Sequence, residues 1–311
     1  MLTTPRPSVS PSPRPPVPPS PRPDFSPVAL IGPVTPELGG TTPGGVATHL
    51  VNLARGLAAA DVDVSLLATN ALTQSSTSWR DAHEALPLFS TYIPTNALAW
   101  VDPRYLRAVG PAALARYALR LARYSGEPLG SRRVALGHLL WYRRFLRAVR
   151  PRLVHVQHPL ERHLYARLVS RFEGWRLPLV VTVHSFFEEH PDEQIESLMR
   201  PNLPHADRLI AVSRVTAEHA VQLGADPAKI RVIRSGVDVD TFRPRDRTAA
   251  RGRLCITPDL PLVLFVGNLE PRKAVGRLLL ALRDVRCVVP EAALAIVGTG
   301  TSAGAVGSSR A

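Results

Sequence analysis

Residues 28–69 read VALIGPVTPELGGTTPGGVATHLVNLARGLAAADVDVSLLAT: an apolar run, a glycine-rich turn, an apolar-periodic segment of helical length, then a second apolar run. The spacing predicts strand, helix, strand. The pattern then recurs as RLVHVQ (152–157), a helix from about Glu161, PLVVTVH (178–184), a helix near 191–203, RLIAVS (208–213), a helix from Val215 and IRVIRSG (230–236). Strands of near-continuous Val, Ile and Leu that alternate with helices are buried on both faces, which requires helices on either side of a mostly parallel sheet. The fold class is therefore α/β, with a doubly wound domain over residues 28–245. Residues 70–130 carry no pattern beyond partly helical periodicity.

Outward from this domain the composition changes. Eleven of the 31 prolines fall in the first 27 residues. Such a run forms polyproline II but no packed core, so residues 1–27 are expected to be a disordered tail. Beyond the domain, residues 246–260 read as a polar, Arg- and Pro-rich linker. Strand, helix, strand then begins again as PLVLFVG (261–267), KAVGRLLLALRDV (273–285) and AALAIVG (292–298). One β-α-β unit does not cover its own sheet, so residues 261–300 are expected to be a truncated second domain, followed by a frayed tail at 301–311.

The chain has 311 residues, 45% of them hydrophobic, with a mean hydropathy of +0.02. That composition supports a sizeable core and excludes wholesale disorder. No run approaches the roughly 18 apolar residues of a spanning helix, and residues 1–26 lack the apolar segment of a secretion signal. The expected location is the cytoplasm, with at most peripheral attachment to the inner face of the membrane. Cys255 and Cys287 read as reduced packing residues. The net charge is +13, yet all but two of the 38 basic residues are arginine, and 16 arginines between Arg104 and Arg176 face only Glu127, Glu161 and Glu173. That skew reads as compositional, and no recognition motif supports a specific nucleic-acid partner.

Four places could carry chemistry. The turn holding Gly39, Gly40, Gly44 and Gly45 lets a backbone approach a ligand, and the helix start behind it favours an anion. Neither the dinucleotide fingerprint nor a Walker A sequence is present, and a flexible connection accounts equally well for those glycines. His184 closes the strand PLVVTVH, where open α/β sheets present groups to ligands; a half-buried histidine bonded to a carbonyl is the alternative. His155, His158, His163 and His190, with Glu161 or Glu189, match no zinc spacing, so no metal is expected. FVGNLEPRK puts Arg272 and Lys273 at a helix start, as a diphosphate site or as two solvated cations. Around GHLLWYRRFLRAVRPR, the arginines from Arg132 to Arg152 meet no nearby acid, while Leu139, Tyr142, Leu146 and Val149 form one apolar stripe. That face could lie on an anionic membrane surface or simply be solvated.

In this order, GGVATHLVNLARGLAAADVDVSLL, RLVHVQHP, VVTVHSF, ADRLIAVSRVTAEHAVQLGADPAKIRVIRSGVDVDTFRP and LFVGNLEPRKAVGRLLLAL resemble the retaining family-4 glycosyltransferases over roughly residues 28–300. The resemblance implies a GT-B fold, in which two Rossmann-like domains face a cleft, the first binding acceptor and the second the nucleotide-sugar. It implies sugar transfer with retention, from a nucleoside-diphosphate sugar to a glycan, glycolipid or small-molecule acceptor, without a metal or other cofactor. Gly44 and Gly45 match the family's glycine loop facing the donor phosphates and sugar. His184 matches the histidine that contacts the transferred sugar, and Gly267, Arg272 and Lys273 match the motif that holds the diphosphate.

The departures are specific. Asn268 stands where many members carry arginine, Ala274 where glycine or asparagine is usual, and Ser235 where asparagine is common. The family's downstream segment with two glutamates separated by seven residues, which would grip the donor's sugar and ribose, does not occur after Gly298 in this sequence. The polypeptide is therefore expected to be inactive or impaired as an enzyme. The alternative is a non-enzymatic module that binds an acceptor or a membrane surface.

Overall fold

The computed structural model describes residues 25–38, 40, 44–69, 80–83, 86–90, 102–126, 129, 131–157, 161–184 and 199–300. The proline-rich tail, except its last three residues, the tail at 301–311 and most of the helix expected at 191–203 lie outside the described residues. The chain forms two compact units, Met1–Ser235 and Gly236–Ala311.

The first unit is built on an eight-stranded sheet, β1 (Val28–Gly32), β2 (Val64–Ala68), β3 (Arg80–His83), β4 (Leu86–Ser90), β5 (Leu153–Gln157), β6 (Leu179–Val183), β7 (Arg208–Ala211) and β8 (Ile230–Val232). The spatial order is β3-β4-β2-β1-β5-β6-β7-β8. Every pairing is parallel except β3 with β4. The chain thus winds outward from β1 through β2 in one direction, returns, and winds outward from β5 in the other. The reversal falls between β1 and β5.

Among the described residues its helices are α1 (Gly45–Ala59), α2 (Pro103–Val109), α3 (Pro111–Ala122), α4 (Arg132–Val149), α5 (Glu161–Glu173) and α6 (Arg214–Gln222), and residues 199–202 are also helical. Local chemistry sets their ends. Ser213 caps α6 by accepting from the Thr216 N–H at 3.0 Å, and α4 stops at Arg150, which is left-handed and followed by Pro151. All five β1 residues are buried, and they alternate between two cores. Ala29 and Ile31 join the larger core with α2 to α5, while Val28 and Leu30 join the smaller core with Leu50, Val51 and Ala54 of α1. This two-sided burial is why the strands read as unbroken apolar runs.

The stripe expected on α4 is in the core: Leu139, Tyr142 and Leu146 are buried, and Val149 packs against them. Its arginines do meet an acid, one distant in sequence. The largely buried carboxylate of Glu173, at the end of α5, accepts from Arg116 Nη2 at 2.7 Å, Arg143 Nε at 3.1 Å and the Tyr117 hydroxyl at 3.0 Å, with Arg147 Nη1 at 3.7 Å. Arg132 instead donates to the carbonyls of Leu121, Ala122 and Tyr124, where α3 ends. Burial alone would push the Glu173 carboxyl up, but the Tyr117 hydroxyl and the Arg143 and Arg116 guanidinium groups outweigh it and hold the carboxyl below its ordinary value.

The second unit pairs β9 (Leu262–Val266) with β10 (Ala293–Val297) in parallel and carries α7 (Arg247–Arg253) and α8 (Val275–Arg286). Helix α7 lies in the stretch read as linker. Asp246 caps it, accepting from the Ala249 N–H at 2.6 Å, yet none of its residues is buried, so it has no apolar period to read. Leu264 and Val266 are 61% and 69% exposed, so this parallel pair is not covered as the first unit's strands are. Cys255 and Cys287 are free thiols but exposed, not packing residues, because they lie at the ends of helices on this thin unit. Ala274 precedes α8 with φ 53°, a left-handed conformation that glycine adopts without cost and asparagine more readily than alanine.

Two stability predictions follow from these contacts. Glu173→Ala should cost about 2–4 kcal/mol at pH 7 in urea unfolding, because it strands Arg143 and the Tyr117 hydroxyl. Since the folded carboxyl is depressed, its contribution is complete above the ordinary value of 4.5 and is lost as pH falls through the folded value. A loss below about 0.5 kcal/mol, typical of an exposed pair, would refute the assignment. Ala274→Gly should relieve about 1 kcal/mol of backbone strain and slow amide exchange across α8; unchanged exchange would show that the turn carries no strain.

Candidate functional site

In an open α/β sheet, ligands meet the carboxyl ends of the strands where the winding reverses. Here those ends are Gly32 on β1 and Gln157 on β5, with His184 directly after β6 and the start of α1 beside them. The α1-facing side of β5 and β6 departs from the apolar rule. Val154, Val156, Val181 and Val183 point into the larger core, while the alternate residues His155, Gln157 and Thr182 are polar and buried.

These polar groups bond to one another. Thr182 Oγ1 lies 2.7 Å from His155 Nε2, which lies 3.3 Å from Gln157 Nε2, and Gln157 Oε1 lies 2.7 Å from His184 Nε2. The half-buried His184 ring meets the ring of His49, on α1, edge to face at 4.7 Å between centroids. Burial, with a smaller repulsion from His49, pulls His155 down to about 4, and burial also lowers His49. Both imidazoles are therefore mainly neutral at pH 7. Gly32 lets Gln157 into this layer. A Cβ at Gly32 would stand 2.9 Å from the Gln157 Cβ and 3.1 Å from Leu50 Cδ2.

Gly44 caps α1 with an extended backbone, and no side chain bonds the cap. The first intrahelical bond runs from Thr48 N to Gly44 O, which leaves the N–H groups of Gly45, Val46 and Ala47 outside the helix ladder. Among the described residues, a Cβ at Gly44 or Gly45 would meet nothing within 4 Å. The first unit thus offers helix-start amides outside the ladder and a histidine held by Gln157, suited to binding oxygen-rich, anionic or hydroxylated groups.

The second unit holds the other expected residues in one loop. Gly267 follows β9 and its N–H donates to Val297 O at 3.0 Å; Gly298 allows this approach, since a Cβ there would overlap Gly267 O. Asn268 Nδ2 donates to Glu270 Oε1 at 3.1 Å, and Pro271–Lys273 form a single tight turn leading into α8. Lys273 is exposed; of Arg272 only the backbone is described. Gly44, Gly45 and His184 thus belong to the first unit, and Gly267, Arg272 and Lys273 to the second.

Sequence reading missed Gln157, Thr182 and His49, and considered His155 only as a metal ligand. The signal was present in RLVHVQ, where His155 and Gln157 alternate with valines in a strand otherwise apolar on both faces. His155 is engaged with Thr182 and Gln157, while His158 and His190 lie outside the described residues, as does the side chain of His163. Among the described residues no helix is long and apolar enough to cross a membrane.

Known proteins give this geometry a context. A D-inositol 3-phosphate glycosyltransferase from Mycobacterium sp. (strain KMS) is 39% identical over 131 residues, 38% of this chain and 30% of that protein. One from Segniliparus rotundus is 34% identical over 148 residues, 42% of this chain and 33% of that protein. The matched stretch thus spans about a third or less of these relatives. Among solved structures, Anabaena Alr3699/HepE in complex with UDP and glucose has a TM-score of 0.55 at 16% identity, covering 90% of this chain and 64% of that one. Its complex with UDP gives 0.57 at 15% identity. At such identity the likeness establishes the fold, an α/β architecture of GT-B type. The profile of Glycosyltransferase Family 4 matches residues 43–241, from the residue before Gly44 through β8 and so across the whole polar layer, and the chain belongs to that family.

Proposed function

We propose that the chain serves sugar transfer from a nucleotide-sugar to a hydroxyl acceptor with retained configuration, the first unit handling the acceptor and the transferred sugar, the second the donor's diphosphate. The observation that carries this reading is His184, held by Gln157 at the carboxyl end of β6 beside the winding reversal. As the glycosyl bond lengthens, positive charge develops on the sugar and negative charge on the leaving diphosphate. Arg272, Lys273 and the amides at the start of α8 suit the diphosphate. The His184 imidazole suits a sugar hydroxyl, and neither a protein nucleophile nor a metal enters the scheme. Anabaena HepE was crystallised with UDP-glucose, and the curated relatives are inositol 3-phosphate glycosyltransferases, so these two compounds are the first probes. Attachment to an anionic surface is not part of this reading, because Arg132, Arg143 and Arg147 are engaged within the fold.

UDP binding, followed by calorimetry, should weaken about tenfold in Lys273→Ala and be unchanged by EDTA. Equal affinity in the variant would remove Lys273 from the donor site, and loss with EDTA would overturn the metal-free scheme. Because the glutamate pair is not in this sequence, the 311-residue polypeptide should release no UDP from UDP-glucose above the uncatalysed rate, with or without inositol 3-phosphate. Measurable release would show that the residues present suffice.

A further inference from the structure

We propose that Gln157 is a positioning residue for His184: its side-chain oxygen accepts from His184 Nε2–H, fixing which ring nitrogen carries the proton and which way the ring faces. The functional consequence rests on the reading that His184 meets the sugar; the positioning itself does not.

The geometry supports this from both ends of the amide. Gln157 is fully buried, so its oxygen and its NH2 both need partners inside the protein. The NH2 faces His155 Nε2 at 3.3 Å, and the oxygen faces His184 Nε2 at 2.7 Å. His155 sits in the same dry layer as a neutral ring, and Thr182 Oγ1 approaches the same Nε2 at 2.7 Å. With that nitrogen as an acceptor, Thr182 donates through its hydroxyl and Gln157 through its amide, so the amide oxygen must point to His184. A carbonyl-type oxygen only accepts, so His184 must present N–H at Nε2, and a neutral ring then carries its lone pair on Nδ1. His184 would thus meet a sugar hydroxyl as an acceptor through Nδ1. The Gln157 stem packs close beside Gly32, where an added Cβ would stand 2.9 Å from the Gln157 Cβ.

The experiment is 15N-histidine NMR on the 311-residue chain at pH 8. The wild-type ring of His184 should show a protected Nε2–H signal and an unprotonated Nδ1; an Nδ1–H ring overturns the proposal. In Gln157→Met, similar in volume but without the acceptor, the protected proton should be lost, with exchange at least about tenfold faster. Gln157→Glu restores an acceptor oxygen and should keep the Nε2–H signal. Persistence of the protected proton in Gln157→Met, with backbone amide signals of β5 and β6 unchanged, overturns the proposal. Should Gln157→Met fail to fold, Gly32→Ala, which crowds the Gln157 stem, should weaken the same protection, and full protection there counts against it. Addition of UDP-glucose and inositol 3-phosphate separates the two claims. A Gln157-dependent His184 signal that neither compound moves leaves the positioning intact and overturns the sugar-contact reading.

Discussion

The first unit depends on one constraint, that its central strands lie in dry layers on both faces. A polar side chain can enter such a layer only if every hydrogen-bonding atom finds a partner there, since an unmet buried group costs about 1–3 kcal/mol. On the side of α2 to α5 the strands meet this requirement with apolar residues alone. On the side of α1, at the winding reversal, Thr182, His155, Gln157 and His184 meet it by bonding in series. The series ties a half-exposed functional candidate to the interior of the fold. It also makes the geometry of His184 cooperative, because no member can turn without leaving another unpartnered.

Charge is distributed by the same logic. A net charge of +13 suggests an electropositive surface, yet three arginines of α3 and α4 converge on Glu173, and Arg132 closes the end of α3. The imidazoles beside α1 are driven toward neutrality by burial. Beside His184, what the described residues offer an anion is the set of backbone amides at the start of α1. The second unit has the opposite composition, with Arg272 and Lys273 on the turn into α8. A hydroxyl-rich group suits the first arrangement and a diphosphate the second.

What could be read from sequence follows from what leaves a local trace. Two-sided burial writes itself into VALIG, LVHVQ and LVVTV as unbroken apolar runs, so these parallel strands and the helices between them were legible. The antiparallel edge strand RDAH has no such run, and α7 has no buried face, so neither left a period to find. The Glu173 hub joins residues 26 to 57 positions apart, a distance no spacing argument spans. His184 could be named as a candidate because strand ends are where such sheets present ligands. Gln157 could not, because a buried amide matters only through partners that the fold assembles. Its trace was the polar alternation in one face of β5, of which only His155 was weighed, as a metal ligand whose spacing fitted no site.

Two kinds of glycine border this site, and they differ in what demands them. Gly32 is demanded from within: a single added carbon would strike the Gln157 stem and Leu50, so the residue follows from the polar layer itself. Gly44 and Gly45 are not. The backbone at Gly44 is extended, Gly45 opens a regular helix turn, and the described residues leave open space where a Cβ would stand at either. Packing and conformation within the described part of the unit thus give no reason for a side chain to be absent at those two positions. A close approach from outside does give one, because the helix-start amides reach a bound group only if no side chain stands between. The inner glycine shapes the support and the outer pair leaves the approach clear, and between them stands the ring of His184, which touches both the polar layer and His49 of α1.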